Sequence, residues 1–98
     1  MAIYFYPTKY PREKALFVLT DKVYDELEPV FAEFRKKTGI FIDPYGDTKL
    51  VAENLMLINQ LIKGSYTSKE LSRLADVQGF LFFIENEEHR EVMYAVGD

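Results

Sequence analysis

Five consecutive residues, Phe80-Leu81-Phe82-Phe83-Ile84, offer no polar side chain to water. Whatever this run forms must be covered on every side. Read as a strand, it has two apolar faces and belongs at the centre of a sheet. A chain of 98 residues has room for one hydrophobic core, so a single domain spanning 1–98 is expected. With 48% apolar and 15% aromatic residues, that core needs no disulfide or metal staple. Cysteine is absent, which is compatible with a reducing compartment.

The rest of the chain supplies the covering elements. Ile3-Tyr4-Phe5-Tyr6 is rich in β-formers and reads as a strand, stopped by Pro7. Pro7 and Pro11 make the next segment a loop. Ala15-Leu16-Phe17-Val18-Leu19 is most simply a strand pairing with the first, although its period alone also allows a helix. Residues 21–37 read as a helix, with Val23, Leu27, Val30, Phe31 and Phe34 at helical spacing. Thr20 or Asp21 can cap its start, Arg35-Lys36-Lys37 suit its negative end, and Gly39 stops it. Pro29 cannot donate to the Asp25 carbonyl, so a kink or two short helices is expected.

Ile40-Phe41-Ile42 reads as a short strand and Asp43-Pro44-Tyr45-Gly46-Asp47 as a turn. Residues 50–63 read as a deeply placed helix, with Glu53, Gln60 and Lys63 as its polar stripe and Met56 exposed on that stripe. Gly64 is its expected end. Thr67-Ser68-Lys69-Glu70 fits a capping box opening a short helix to Asp76. Beyond the run 80–84, Glu85-Asn86-Glu87-Glu88-His89 reads as a hairpin loop returning through Val92-Met93-Tyr94-Ala95-Val96. The expected fold is α+β: a mainly antiparallel sheet of four to five strands packed against two to three helices.

Catalytic chemistry finds little to build on. His89 is the only imidazole, and it lies in the most acidic, loop-like stretch with no group arranged to orient it. Asp43 and Asp47 flank a turn, but D-P-Y-G-D lacks the alternating oxygen ligands of a calcium loop. Turn bonds and capping of the following helix explain both carboxylates. No phosphate-cradle, zinc-protease or nucleophile-elbow motif occurs. The expectation is a non-enzyme with no cofactor and no metal.

Tyr4, Tyr6 and Tyr10 alternate with Lys9, Arg12 and Lys14, a mixture that can stack and neutralise single-stranded nucleic acid. The overall charge of −4 opposes that role, and one exposed strand face accounts for Tyr4 and Tyr6 equally well. Residues 41–98 hold five basic and ten acidic residues, a balance of −5. Glu85, Glu87, Glu88, Glu91 and Asp98 face only Arg90 there. Such a surface attracts basic partners and repels phosphate backbones, or simply keeps the domain soluble. The amino-terminal run lacks the charged-then-apolar layout of a signal peptide, and no apolar stretch approaches a membrane span. A cytoplasmic location is expected, with no membrane contact and no direct nucleic-acid contact.

Within residues 36–62, the helix end Lys-Lys-Thr-Gly, the turn Ile42-Asp43-Pro44-Tyr45-Gly46-Asp47-Thr48 with Leu50, and the apolar helix after it resemble small bacterial immunity proteins. These accompany polymorphic toxins, including those of contact-dependent growth inhibition systems. The resemblance implies a cytoplasmic protein that binds a cognate toxin domain and occludes its active site. A basic, nuclease-type toxin would suit the acidic half of this chain. Combining that with exposed acidic and aromatic positions, Asp43, Tyr45, Asp47, Met56, Glu85, Glu87 and Glu88 are the expected partner-binding residues. A regulatory or scaffold module that binds through its sheet edge is the alternative, and a small enzyme or ligand-binding domain the third. The oligomeric state stays open at this level.

Overall fold

The computed structural model describes residues 2–9 and 14–97. Tyr10, Pro11, Arg12 and Asp98, named above, lie outside the described residues. The order of elements is β1 (Ala2–Tyr6), β2 (Phe17–Thr20), α1 (Asp21–Glu26), α2 (Glu28–Thr38), β3 (Asp47–Val51), α3 (Ala52–Ser65), α4 (Ser68–Arg73), α5 (Ala75–Glu87) and β4 (Val92–Gly97). The four strands form one antiparallel sheet in the order β2-β1-β4-β3. The fold is α+β, with five helices where two to three were expected.

Strand alternation sorts the sheet into two faces. Ile3 and Phe5 of β1, Leu19 of β2, Leu50 of β3, and Met93 and Ala95 of β4 all point into the core. The helices lie over this side. Phe80 and Phe83 of α5 meet Phe5 with ring centroids 5.7 and 5.4 Å apart, and Phe17 stacks on Phe83 at 4.9 Å. Asn59 donates to Glu88, and Lys63 pairs with Glu85, so α3 and α5 run antiparallel beside each other.

Local rules hold at several places. The helix of residues 21–37 is divided at Leu27, with Pro29 in the first turn of α2, where its missing donor costs nothing. Gly39 takes φ 77° as its cap, a left-handed conformation that favours glycine. Thr67 and Glu70 close both bonds of the expected capping box, at 3.1 and 3.0 Å. Residues 17–20 resolve the ambiguity of the second apolar run as a strand. Thr20 does stand at the start of α1, but its side chain makes no capping bond.

The run 80–84 is not a central strand; it lies within α5. Val77, Phe80, Leu81 and Ile84 repeat at helical spacing and are all buried. Phe83 covers one flank of that stripe, and Phe82 is turned out, 57% exposed. The central positions of the sheet belong to β1 and β4. Consequently residues 85–89 are not a hairpin tip. Glu85 and Glu87 belong to the last turns of α5, and a short turn leads from there to β4.

Residues 40–42 form no strand, because they pair with none of the four strands of the sheet; Ile42 drops into the core while Phe41 points away. The strand occurs instead at Asp47–Val51, where exposed and buried positions alternate, so the helix expected from residue 50 starts at Ala52. Helix α3 continues past Gly64 to Ser65, and α4 stops at Arg73, short of Asp76.

Candidate partner-binding groove

Residues 39–46 lead from α2 to β3 and carry Tyr45, at 73% the most exposed large hydrophobic side chain among the described residues. Main-chain ties hold this loop at each step. Ile40 N donates to Thr38 Oγ1, and the Tyr24 hydroxyl donates to the Ile42 carbonyl at 2.9 Å. Thr48 Oγ1 donates to the Phe41 carbonyl and accepts from Asp43 N. Gly97 N donates to the Gly46 carbonyl at 2.9 Å. Any Cβ at Gly97 would collide with the Pro44 backbone, so a glycine is required where β4 meets the loop.

A fixed loop beside a helix leaves a groove of about 450 Å³, lined by Tyr24, Glu28, Phe31, Ala32, Arg35, Phe41 and Pro44. Tyr24 and Phe31 lie 5.2 Å apart, ring to ring, and form part of its aromatic wall. Phe41 stands 45% exposed with the Arg35 guanidinium 4.5 Å above its ring, a cation–π contact. Rigid aromatic rings and an arginine beside a hollow are the residue types that dominate protein–protein binding energy.

The Tyr24 phenol is held above its usual 10.0, first by burial, then by the carboxylates of Asp43, Glu28 and Asp25, with Arg35 opposing.

The expected binding residues fall into separate groups. Asp43 accepts from Tyr45 N at 2.8 Å, an Asx turn that shapes the loop tip as its turn chemistry suggested. Asp47 caps no helix; it opens β3, where its side chain is exposed on the far face of the sheet. There it lines a second hollow of about 290 Å³ with Lys9, Lys49, Tyr94 and Val96. Met56 is exposed at 46% on α3, as expected. The three glutamates sit at the opposite end of the β3–β4 ladder from Asp43 and Tyr45, since Val92 pairs with Val51 and Val96 with Asp47.

Those glutamates also have partners within the chain. Glu85 lies 3.3 Å from Lys63, Glu87 lies 2.6 Å from Arg90, and Glu88 accepts from the Asn59 amide at 2.8 Å. Glu85 and Glu87 thus each face a cation, while Glu88 keeps its charge and is held by a neutral amide. His89 is exposed in the turn after α5. Among the described residues, no group of three or more His, Cys, Asp or Glu side chains could hold a metal ion. No described helix is long and apolar enough to cross a membrane.

No family model matches this chain, and no curated protein or solved structure matches it either.

Tyr24, Phe31, Arg35 and Phe41 had no place among the expected binding residues. Three of them read as ordinary helix residues, and Phe41 as the middle of a short strand. Ile40-Phe41-Ile42 carried no signal, because three apolar residues in a row do not show which one faces out. Phe82 was hidden in the same way, because a run that is apolar throughout does not reveal which ring faces out.

Proposed function

We propose that this chain is an immunity protein, a non-catalytic inhibitor that binds a basic toxin domain and covers its active site. The observation that carries the reading is the groove between α2 and the 40–46 loop, aromatic in its walls, with the carboxylates of Glu28, Asp43 and Asp25 close to Tyr24. Phe41 and Tyr45 supply apolar contact area from a braced loop, so little side-chain entropy is lost on binding. Glu28, Asp25 and Asp43 steer a cationic partner toward it and hold it at the rim. Inhibition of this kind needs shape and charge, and no reacting group.

The test is to express the C-terminal domain of the protein encoded next to this chain, assay it for toxicity, and measure its binding by titration calorimetry and stopped-flow association. Phe41→Ala should weaken binding on the order of tenfold or more, the scale of a hot-spot ring, with unchanged thermal unfolding. Glu28→Lys should slow association, most strongly at low salt. If both variants bind like the wild type, the groove is not the binding surface. If the wild type does not bind the neighbouring toxin, the immunity reading falls.

A further inference from the structure

Strand β3 ends the sheet, and its outer edge pairs with no other strand among the described residues. The phase of that edge follows from the ladder. Gly97 N donates to the Gly46 carbonyl, one step beyond the Asp47–Val96 pair. Hydrogen-bonded and non-bonded pairs alternate in an antiparallel ladder. Thr48 and Leu50 therefore direct their main-chain groups to β4, and Asp47 and Lys49 direct theirs outward; the Val51 N–H, which also faces out, is taken by Asn54 Oδ1 at 2.9 Å. An open row of donors and acceptors is a template for another strand.

Charge decides which strand fits. Asp47 and Lys49 are both exposed on the same face, two residues apart. Consider a second copy of β3 laid antiparallel on this edge about a two-fold axis through Thr48. Asp47 of each copy then lies opposite Lys49 of the other, giving two opposite-charge cross-strand pairs. All four residues belong to the outward-directed set, so the hydrogen bonding is in phase as well. Shifting the axis to Asp47 or to Lys49 keeps the phase but sets like charges opposite each other. The Thr48-centred register also brings Tyr45, 73% exposed, level with the second copy's Val51, 39% exposed.

We infer that β3 is a self-complementary homodimer edge, joining two four-stranded sheets into one continuous sheet through paired Asp47 and Lys49 side chains. This surface shares Tyr45 with the proposed toxin contact, but the Asp47 and Lys49 substitutions below leave Tyr45 and Phe41 unchanged, so either proposal can fail alone.

Sedimentation equilibrium of the full chain tests it. The wild type should be a concentration-dependent dimer, weakened by salt. Asp47→Lys and Lys49→Asp, each alone, should weaken self-association on the order of tenfold or more, because attractive pairs become repulsive. Mixing these two variants should restore a dimer, since each then meets its opposite charge. The double variant carrying both changes should dimerise as the wild type does. Amide exchange supplies an independent reading: the Asp47 and Lys49 amides should gain protection as wild-type concentration rises, and the Thr48 amide should not change. A monomeric wild type overturns the inference. So does a dimer indifferent to the single substitutions, which would point to another surface such as the tyrosine-bearing sheet face, or single variants that fail to recover when mixed.

Discussion

Phe80 and Phe82 stand two positions apart in an unbroken apolar run, and the fold assigns them opposite fates. Phe80 is 0% exposed, with ring centroids of Phe5, Phe17, Phe31 and Phe83 between 5.6 and 6.4 Å away. Truncation to alanine removes a ring from a packed site that cannot collapse fully, so Phe80→Ala should cost about 3–5 kcal/mol. Phe82 is 57% exposed, so only about two-fifths of its surface is covered. Full burial of a phenylalanine is worth about 1.5–3 kcal/mol, which scales here to roughly 0.6–1.3 kcal/mol. Alanine recovers about 0.5 kcal/mol of helix propensity, and no cavity forms at a wet site. Phe82→Ala should therefore cost less than about 1 kcal/mol. Urea unfolding followed by far-ultraviolet circular dichroism measures both. Loss of the folded baseline in Phe80→Ala alone agrees with the assignment, since that cost approaches the whole stability of a small domain. Equal costs at the two positions would refute the helical register of α5.

Three further expectations follow from the same structure. Thr67→Ala removes an accepting side chain from the start of α4 and should cost about 0.5–2 kcal/mol in urea unfolding. Gly39→Ala forces a Cβ into a left-handed cap at φ 77° and should cost about 1 kcal/mol by the same measurement. Burial, then nearby carboxylates, hold the phenols of Tyr24 and Tyr66 above the usual 10.0, so the folded chain keeps these protons when the unfolded chain loses them. Their contribution is fully present below pH 10.0 and is lost as pH rises through the raised values, and a plot of urea midpoint against pH should flatten in Tyr24→Phe.

Local chemistry was legible where one residue type has one physical consequence. Pro29 had to interrupt a helix, Gly39 had to end one, and Thr67 with Glu70 had to open one. The strands at Ala2–Tyr6 and Val92–Gly97 followed from their β-formers. The run at 80–84 misled because five apolar residues have no period. The deciding residue is Val77, three positions earlier, which extends a helical stripe that no strand could use. Asp47–Val51 was missed because its alternation spans only five residues beside strong turn signals. The groove was illegible for a different reason. Its walls come from α1, α2 and the following loop, and contacts between residues far apart in sequence, such as the Tyr24 bond to Ile42 and the Gly97 strap, set their distance. The glutamates near residue 87 were conspicuous by composition; Glu87 meets Arg90 locally, three residues on, but the contacts of Glu85 with Lys63 and of Glu88 with Asn59 are tertiary facts.

An immunity protein of the proposed kind inhibits by occupying a partner surface, without chemistry. Titrating the toxic activity of the C-terminal domain encoded next to this chain with increasing amounts of the chain decides this. A linear loss of toxic activity that ends at equimolar protein is expected, with Phe41→Ala shifting the curve to higher concentration. Loss of activity at a small fraction of equimolar protein would reveal turnover, and no loss at a large excess would remove that domain as the partner; either result overturns inhibition by occupancy.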